Sequence, residues 1–214
     1  MLASLGVYWT VWGWRFALGI VLSIYVHEMG HVIQLRRYGF RTGVPMFIPG
    51  LGAVIRMQQS IVNPREDADI GLAGPIYGLG AAVVALLLWQ VTALPIFAAI
   101  AGVGAWINLF NLLPFGSLDG GRAFQALSRV EKIACAACIG LSWFFAQDGI
   151  LILLFIGCTA RIFVHENRTG GYPKAAVIYC MLVLILTAIS LVRNRVDDTL
   201  EAVRDKVNVT GRLN

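Results

Sequence analysis

The chain of 214 residues is 58% hydrophobic and only 14% charged, with a mean hydropathy of +0.74. A water-soluble domain carries roughly a quarter charged residues, so the composition excludes an ordinary soluble protein and favours lipid around the apolar runs. The net charge of +5 does not indicate a nucleic-acid partner, because the Lys and Arg residues lie between and after those runs, where they set membrane orientation. We therefore expect a multi-pass protein of the cell membrane.

The apolar runs predict an all-α polytopic membrane protein with about six transmembrane helices. A break at residues 147–149 divides one long run into two short helices. Only a short turn separates the second run from the third, so these two are expected to form an antiparallel hairpin. The runs cover residues 11–35, 70–91, 94–113, 133–163 and 175–192.

The segment 43–60 is apolar but cannot form one continuous helix. Pro45 and Pro49 interrupt it, and two glycines follow. Irregular backbone at membrane depth needs protein or a wet cavity to cover it. We expect a re-entrant or interfacial loop here, with a short β-strand within 53–58, followed by a helix that starts at the Asn63-Pro64 pair.

The sequence His27-Glu28-Met29-Gly30-His31 carries the strongest chemical signal. Residues four apart share one face of a helix, so both imidazoles can bind one metal ion. Glu28 lies about 100° around the helix, where its carboxylate can accept a proton from a metal-activated water. A chance match or a pair of core histidines is the alternative, but ionisable groups inside an apolar helix are costly and mark functional sites.

Two histidines leave a zinc site incomplete, so a third protein ligand is required. Asp119 is the candidate: it ends an apolar run, and the two glycines after it allow the backbone to turn closely around an ion. The alternative role for Asp119 is to cap the helix that starts near Gly120. With the histidine pair present, we favour the ligand.

Asn108 and Asn111 lie three residues apart, on one face of the third run. An asparagine amide there can donate a hydrogen bond to an oxyanion or to a substrate carbonyl. It can equally join two helices in a membrane, and both readings stay open on chemistry alone.

The two motifs together resemble the site-2 protease family of intramembrane zinc metalloproteases. That family pairs an H-E-x-x-H helix with a later N-x-x-P…L-D-G-G segment, and the matching stretches here are His27 to His31 and Asn111 to Gly121. Gly74-Pro75 is similar to a G-P pair often seen in the second helix. Two departures are Ser117, in place of a common proline, and Gly78, where an asparagine often follows the G-P pair.

The resemblance implies one zinc ion per chain, bound by His27, His31 and Asp119. It implies Glu28 as the general base and Asn111 as a residue that binds substrate or the oxyanion. The expected substrate is a peptide bond in or near a transmembrane segment of another membrane protein. The loop at 43–58 is expected to hold the substrate extended by main-chain pairing.

We expect one membrane-embedded metalloprotease domain over residues 1–192, with a catalytic core at about 11–130, and a polar C-terminal tail over 193–214. Two other functions compete with proteolysis. A non-catalytic membrane-binding or chaperone relative would retain the fold, although the intact Glu28 and Asp119 argue against it. A metal carrier would need several liganding sites along a path, whereas the sequence has one cluster.

Overall fold

The computed structural model describes residues 6, 9–10, 13–40, 46–48, 52–54, 61–163 and 170–210, with side chains described except at 46–54 and 193–210. In these described residues we label seven helices and one two-stranded hairpin. In chain order they are α1 (Trp14–Arg37), β1 (Met46–Ile48), β2 (Gly52–Val54), α2 (Pro64–Thr92), α3 (Pro95–Asn111), α4 (Asp119–Gln125), α5 (Arg129–Ala146), α6 (Gly149–Phe163) and α7 (Pro173–Thr210).

Local sequence signals account for the ends of the first helices. Helix α1 ends at Arg37, and Gly39 then adopts a φ of 80°, which lets the backbone amides of Gly39 and Phe40 bond the last free carbonyls. Helix α2 starts as predicted: the Asn63 side chain accepts a hydrogen bond from the Arg65 amide at 3.0 Å, and Pro64 takes the first helical position. The turn between α2 and α3 is formed by Ala93, at a φ of 55°, and Leu94.

The division of the long apolar run is also confirmed. Ser128 and Glu131 form a reciprocal capping box that starts α5. Helix α5 ends at Ala146 because Gln147 adopts a φ of 52°, and α6 begins two residues later at Gly149. Helices α5 and α6 then pack against each other, and α5 also packs against α7.

Helix α2 lies at the centre of the fold, in contact with α1, α3, α4 and α7. Small residues allow these close approaches, as is typical of helices in membranes. A side chain at Gly30 of α1 would collide with the backbone carbonyl of Ala73 in α2. A side chain at Gly71 would come within 2.9 Å of the Asp119 carbonyl oxygen in α4. The helix that carries the histidines and the helix that carries Asp119 are thus both held against α2.

The expected helical membrane protein is confirmed. Within the described part of the chain, three helices are long and apolar enough to cross a membrane, namely Trp14–Arg37, Pro64–Thr92 and Pro173–Val192, while Pro95–Asn111 and Gly149–Phe163 are apolar but shorter. Many large apolar side chains point outward, among them Leu87, Phe144 and Leu153, each more than half exposed. Such a surface suits lipid and would be an aggregation hazard in water.

The hairpin differs in detail from the prediction, and the last helix extends past the predicted apolar run. The hairpin pairs Met46 with Val54 and Ile48 with Gly52, so β2 overlaps the predicted strand only at its start, and residues 55–60 lie outside the described part of the chain. The predicted last run agrees with the apolar span Pro173–Val192, and α7 continues beyond this span to Thr210. The continuation has a simple cause, since no proline or glycine interrupts 193–210.

Candidate metal centre

His27 and His31 lie one turn apart on α1, and both are buried, at 4% and 6% exposure. The spacing predicted that they share a face, and they do: the ring centroids are 4.9 Å apart and the rings meet edge to face. Their Nε2 atoms are only 3.2 Å apart. The two imidazoles therefore converge through the same ring nitrogen.

Each imidazole is held from behind at its Nδ1 atom. Nδ1 of His31 donates to the backbone carbonyl of Ile70 in α2, and Nδ1 of His27 donates to Oδ1 of Asn108 in α3, both at 2.8 Å. A hydrogen on Nδ1 leaves Nε2 of a neutral imidazole with a bare lone pair. Both lone pairs are thus available on the side where the rings converge.

Asp119 completes the cluster from a second helix, α4. Its Oδ2 lies 3.1 Å from Nε2 of His27, and its Oδ1 lies 3.3 Å from Nε2 of His31. Asp119 is the first residue of α4 rather than its cap, a position that Leu118 takes. The buried Oδ2 atom receives no hydrogen bond from any described residue, and an unpaired carboxylate oxygen in such a place calls for a cation.

The three side chains fit a zinc ion. Ligand atoms about 2.0–2.1 Å from a tetrahedral zinc are about 3.3 Å from one another. Here the two Nε2 atoms are 3.2 Å apart, Oδ2 of Asp119 lies 3.1 Å from Nε2 of His27, and Oδ1 lies 3.3 Å from Nε2 of His31. Two bare imidazole nitrogens and a carboxylate repel one another at this separation unless a positive charge lies between them. Three protein ligands would leave one position of a tetrahedral zinc ion open, as in catalytic rather than structural zinc sites.

Contacts from the surrounding helices hold the segment that carries Asp119. Arg122, one turn further along α4, pairs with Asp67 of α2 at 2.8 Å. The buried Tyr179 of α7 donates a hydrogen bond of 2.8 Å to the Leu112 carbonyl, at the end of α3. Gly120 packs so closely on the Leu112 backbone that a side chain would not fit. Asp119 is thereby fixed relative to both α2 and α3.

Two glycines of α2 shape the cluster and were not recognised as site residues in the sequence. A side chain at Gly74 would collide with both imidazoles, and a side chain at Gly78 would collide with the Asn108 carboxamide. The G-P pair at Gly74 was noted only for its resemblance to a family motif. The only sequence feature that could have indicated these two site glycines is a run of small residues on an apolar helix, and ordinary helix packing also explains such a run.

The remaining candidate residues are placed as follows. Glu28 is half-buried and follows His27 directly on α1. Asn111 is half-buried at the last position of α3 and, among the described residues, makes no hydrogen bond to the three ligand candidates. Asn108, one turn earlier, is 2% exposed and is the asparagine that contacts the cluster.

Comparison with known proteins agrees with this geometry. Residues 15–94 match peptidase family M50. The chain is 28% identical over 167 residues to a zinc metalloprotease of Methanocaldococcus jannaschii, covering 72% of this chain and 48% of that protein. It is 32% identical over 176 residues to Rip3 of Mycobacterium tuberculosis, covering 77% and 43%, and 28% identical over 191 residues to the chloroplast protein EGY2 of Arabidopsis thaliana, covering 65% and 34%. All three carry the words zinc metalloprotease in their names.

The chain thus spans less than half the length of these relatives. The matched part includes the His27–His31 helix and the Gly74-Pro75 pair. The predicted resemblance to the site-2 protease family is confirmed.

Proposed function

We propose that this chain, a member of peptidase family M50, is an intramembrane zinc endopeptidase that hydrolyses peptide bonds in or near transmembrane segments of other membrane proteins. One observation carries the proposal: the Nε2 atoms of two histidines on α1 lie 3.2 Å apart, and each is within 3.3 Å of a carboxylate oxygen of Asp119 on α4. A zinc ion bound by these three side chains would have one tetrahedral position open. The ligands would be His27, His31 and Asp119. When bound, zinc supplies Lewis-acid catalysis, polarising a carbonyl and making a water molecule more acidic.

The chain's own residues supply the other steps of hydrolysis. Glu28 accepts a proton from the attacking water and later delivers it to the leaving amine, as a general base and then a general acid. Asn111 donates a hydrogen bond to the substrate carbonyl as negative charge develops on its oxygen. Its half-buried position at the end of α3 supports this role, because its amide is not used by the ligand cluster.

The proposed topology has about six crossings, formed by α1, α2, α3, α5, α6 and the first part of α7, in the cell membrane. The apolar character of α3 and α6, which are short for a full crossing, supports their inclusion. The domain would cover residues 1–192 with a catalytic core at 11–130, and residues 193–214 would form a polar tail. The hairpin β1–β2 would belong to a re-entrant loop that pairs with an extended substrate, since a short two-stranded hairpin retains unpaired strand edges.

The first experiment measures metal content. We expect about one zinc per chain in the detergent-purified protein, and loss of zinc in His27→Ala and in Asp119→Ala. Ser142→Ala is the matched control, because Ser142 is also buried but lies on α5, which carries no ligand. A well-folded wild-type protein that takes up no zinc would refute the proposed zinc peptidase activity and favour a non-catalytic relative of the family.

The second experiment separates catalysis from metal binding. In Glu28→Gln we expect proteolysis to fall about 10²–10⁴-fold, while zinc content stays that of the wild type. The probe is a panel of labelled single-pass peptides reconstituted with the enzyme in lipid vesicles, followed by mass spectrometry of the products. Wild-type rates in this variant would rule out Glu28 as the base. Cleavage that continues after a chelator has removed the zinc would rule out a zinc-dependent mechanism.

A further inference from the structure

The two histidines are held in different ways at their Nδ1 atoms. His31 is held by a backbone carbonyl, that of Ile70, which no substitution removes. His27 is held by a side chain, the carboxamide of Asn108. Substitution of Asn108 can therefore remove the hydrogen bond to His27 without changing any of the three ligand candidates.

The orientation of the Asn108 carboxamide is determined by its surroundings. Its Nδ2 donates a hydrogen bond of 2.7 Å to the Gly104 carbonyl, one turn earlier in α3. A carbonyl oxygen can only accept, so the nitrogen must face Gly104 and Oδ1 must face His27. Oδ1 also can only accept, so Nδ1 of His27 must carry the hydrogen, and its Nε2 is bare.

The space around Asn108 admits one position of the carboxamide. The side chain is 2% exposed, and α2 approaches it at Gly78, where even a methyl group would collide with the carboxamide. Three helices thus meet at this hydrogen bond. Helix α1 carries His27, α3 carries Asn108, and α2 has a glycine, Gly78, where a side chain would displace the carboxamide.

From this arrangement we propose that Asn108 is a positioning residue that holds His27 in the Nδ1–H tautomer and aims its Nε2 lone pair at the metal position. The part of the inference that concerns zinc rests on the proposed function. Asn108 does more than join two helices, because its partner atom belongs to the ring whose other nitrogen faces Asp119 at 3.1 Å. Outer hydrogen bonds of this kind orient metal ligands and raise their basicity.

The test compares Asn108→Leu, which removes the acceptor, with Asn108→Asp, which retains an acceptor oxygen. Zinc affinity is measured by competition with a chromogenic chelator, and we expect it to fall about 10–100-fold in the Leu variant and to be restored in the Asp variant. Ser142→Ala is again the control and should bind zinc like the wild type. Equal zinc affinity in the wild type and in a folded Leu variant would refute the positioning role.

A second readout does not depend on zinc. In metal-free protein labelled with ¹⁵N-histidine, the ring nitrogen shifts report which nitrogen of His27 carries the hydrogen. We expect a protonated Nδ1 in the wild type, and loss of this hydrogen from Nδ1 in part of the molecules of the Leu variant. Wild-type shifts in the Leu variant would overturn the inference, whereas a wild type that shows the tautomer but takes up no zinc would overturn only the proposed function.

Gly78→Ala keeps the test decisive if the Leu variant does not fold. Alanine favours helix over glycine by about 1 kcal/mol, so this variant should retain α2 while its methyl group displaces the Asn108 carboxamide. We expect the same loss of zinc affinity and the same change in His27 shifts. Wild-type behaviour by both measures would show that Asn108 does not position the ring.

Discussion

Substitution of Gly74 by alanine tests the geometry of the metal centre without touching a ligand. The new methyl carbon would lie 2.7 Å from Nε2 of His27 and closer still to the His31 ring, whereas ordinary contacts begin at 3.4 Å. The His27 ring must therefore retreat by about 0.7 Å, several times the tolerance of about 0.2 Å for a metal–ligand distance. We expect zinc affinity to fall at least about 100-fold, beyond the usual effect of an outer hydrogen bond.

Pro75 complicates this substitution and requires its own control. A residue with a side chain is disfavoured in helical conformation before proline, so Gly74→Ala could disturb the backbone of α2 as well as the imidazoles. The double variant Gly74→Ala/Pro75→Ala retains the methyl group and removes the proline. We expect this double variant to lose zinc, and Pro75→Ala alone to bind it.

The assay combines zinc competition with thermal unfolding in detergent. At a free zinc concentration of 100 times the wild-type Kd, binding stabilises the wild type by about 2.7 kcal/mol. In both Gly74 variants a 100-fold weaker affinity would reduce this stabilisation to about 0.4 kcal/mol, so the zinc-dependent rise in Tm should be almost lost. Gly80→Ala is the matched control, because a side chain at Gly80 of the same helix meets nothing within 4 Å. Zinc bound with wild-type affinity in the double variant would refute the proposed packing of Gly74 on the imidazoles.

Three further predictions concern the support of the site and its edge. Arg122→Leu leaves Asp67, which is 18% exposed, without its charged partner. We expect the free energy of unfolding to fall by about 2 kcal/mol and zinc to bind more weakly. An unchanged zinc affinity would show that the pair does not position α4. Tyr179→Phe removes the hydrogen bond to the Leu112 carbonyl, and we expect thermal unfolding to show a free energy of unfolding lower by about 1 kcal/mol. An unchanged stability would show that this hydrogen bond does not hold the end of α3. Burial, and then a hydrogen bond to a carboxylate, raises the pKa of Tyr38 to about 12, from 10.0. Between these values the unfolded chain gives up a proton that the folded chain keeps, so this contribution to stability, intact below pH 10, is lost as the pH rises towards 12. Unfolding scans should show a smaller alkaline loss in Tyr38→Phe, and equal losses would contradict the assigned pKa.

Local signals made much of the helical fold predictable. The Asn63-Pro64 pair places the start of α2, and the polar break at 147–149 separates α5 from α6, because caps and helix breaks depend on neighbouring residues. The sequence placed the end of the last apolar span at about Val192. The helix itself continues to Thr210, since a change from apolar to polar side chains does not break a helical backbone. The hairpin at 46–54 was predicted only in outline, because pairing depends on a register that composition does not specify.

At the metal centre the sequence and the tertiary structure decided different things. The spacing of His27 and His31 alone determined that the two rings share a face, because 3.6 residues per turn is a property of the helix itself. Which carboxylate faces them, and which asparagine contacts His27, depends on how α1, α2, α3 and α4 cross and rotate. Sequence motifs directed attention to Asn111, whereas packing brought Asn108 to the imidazole. The need for glycine at 74 and 78 is likewise decided by the tertiary structure, since the atoms that exclude a side chain there belong to residues distant in the sequence.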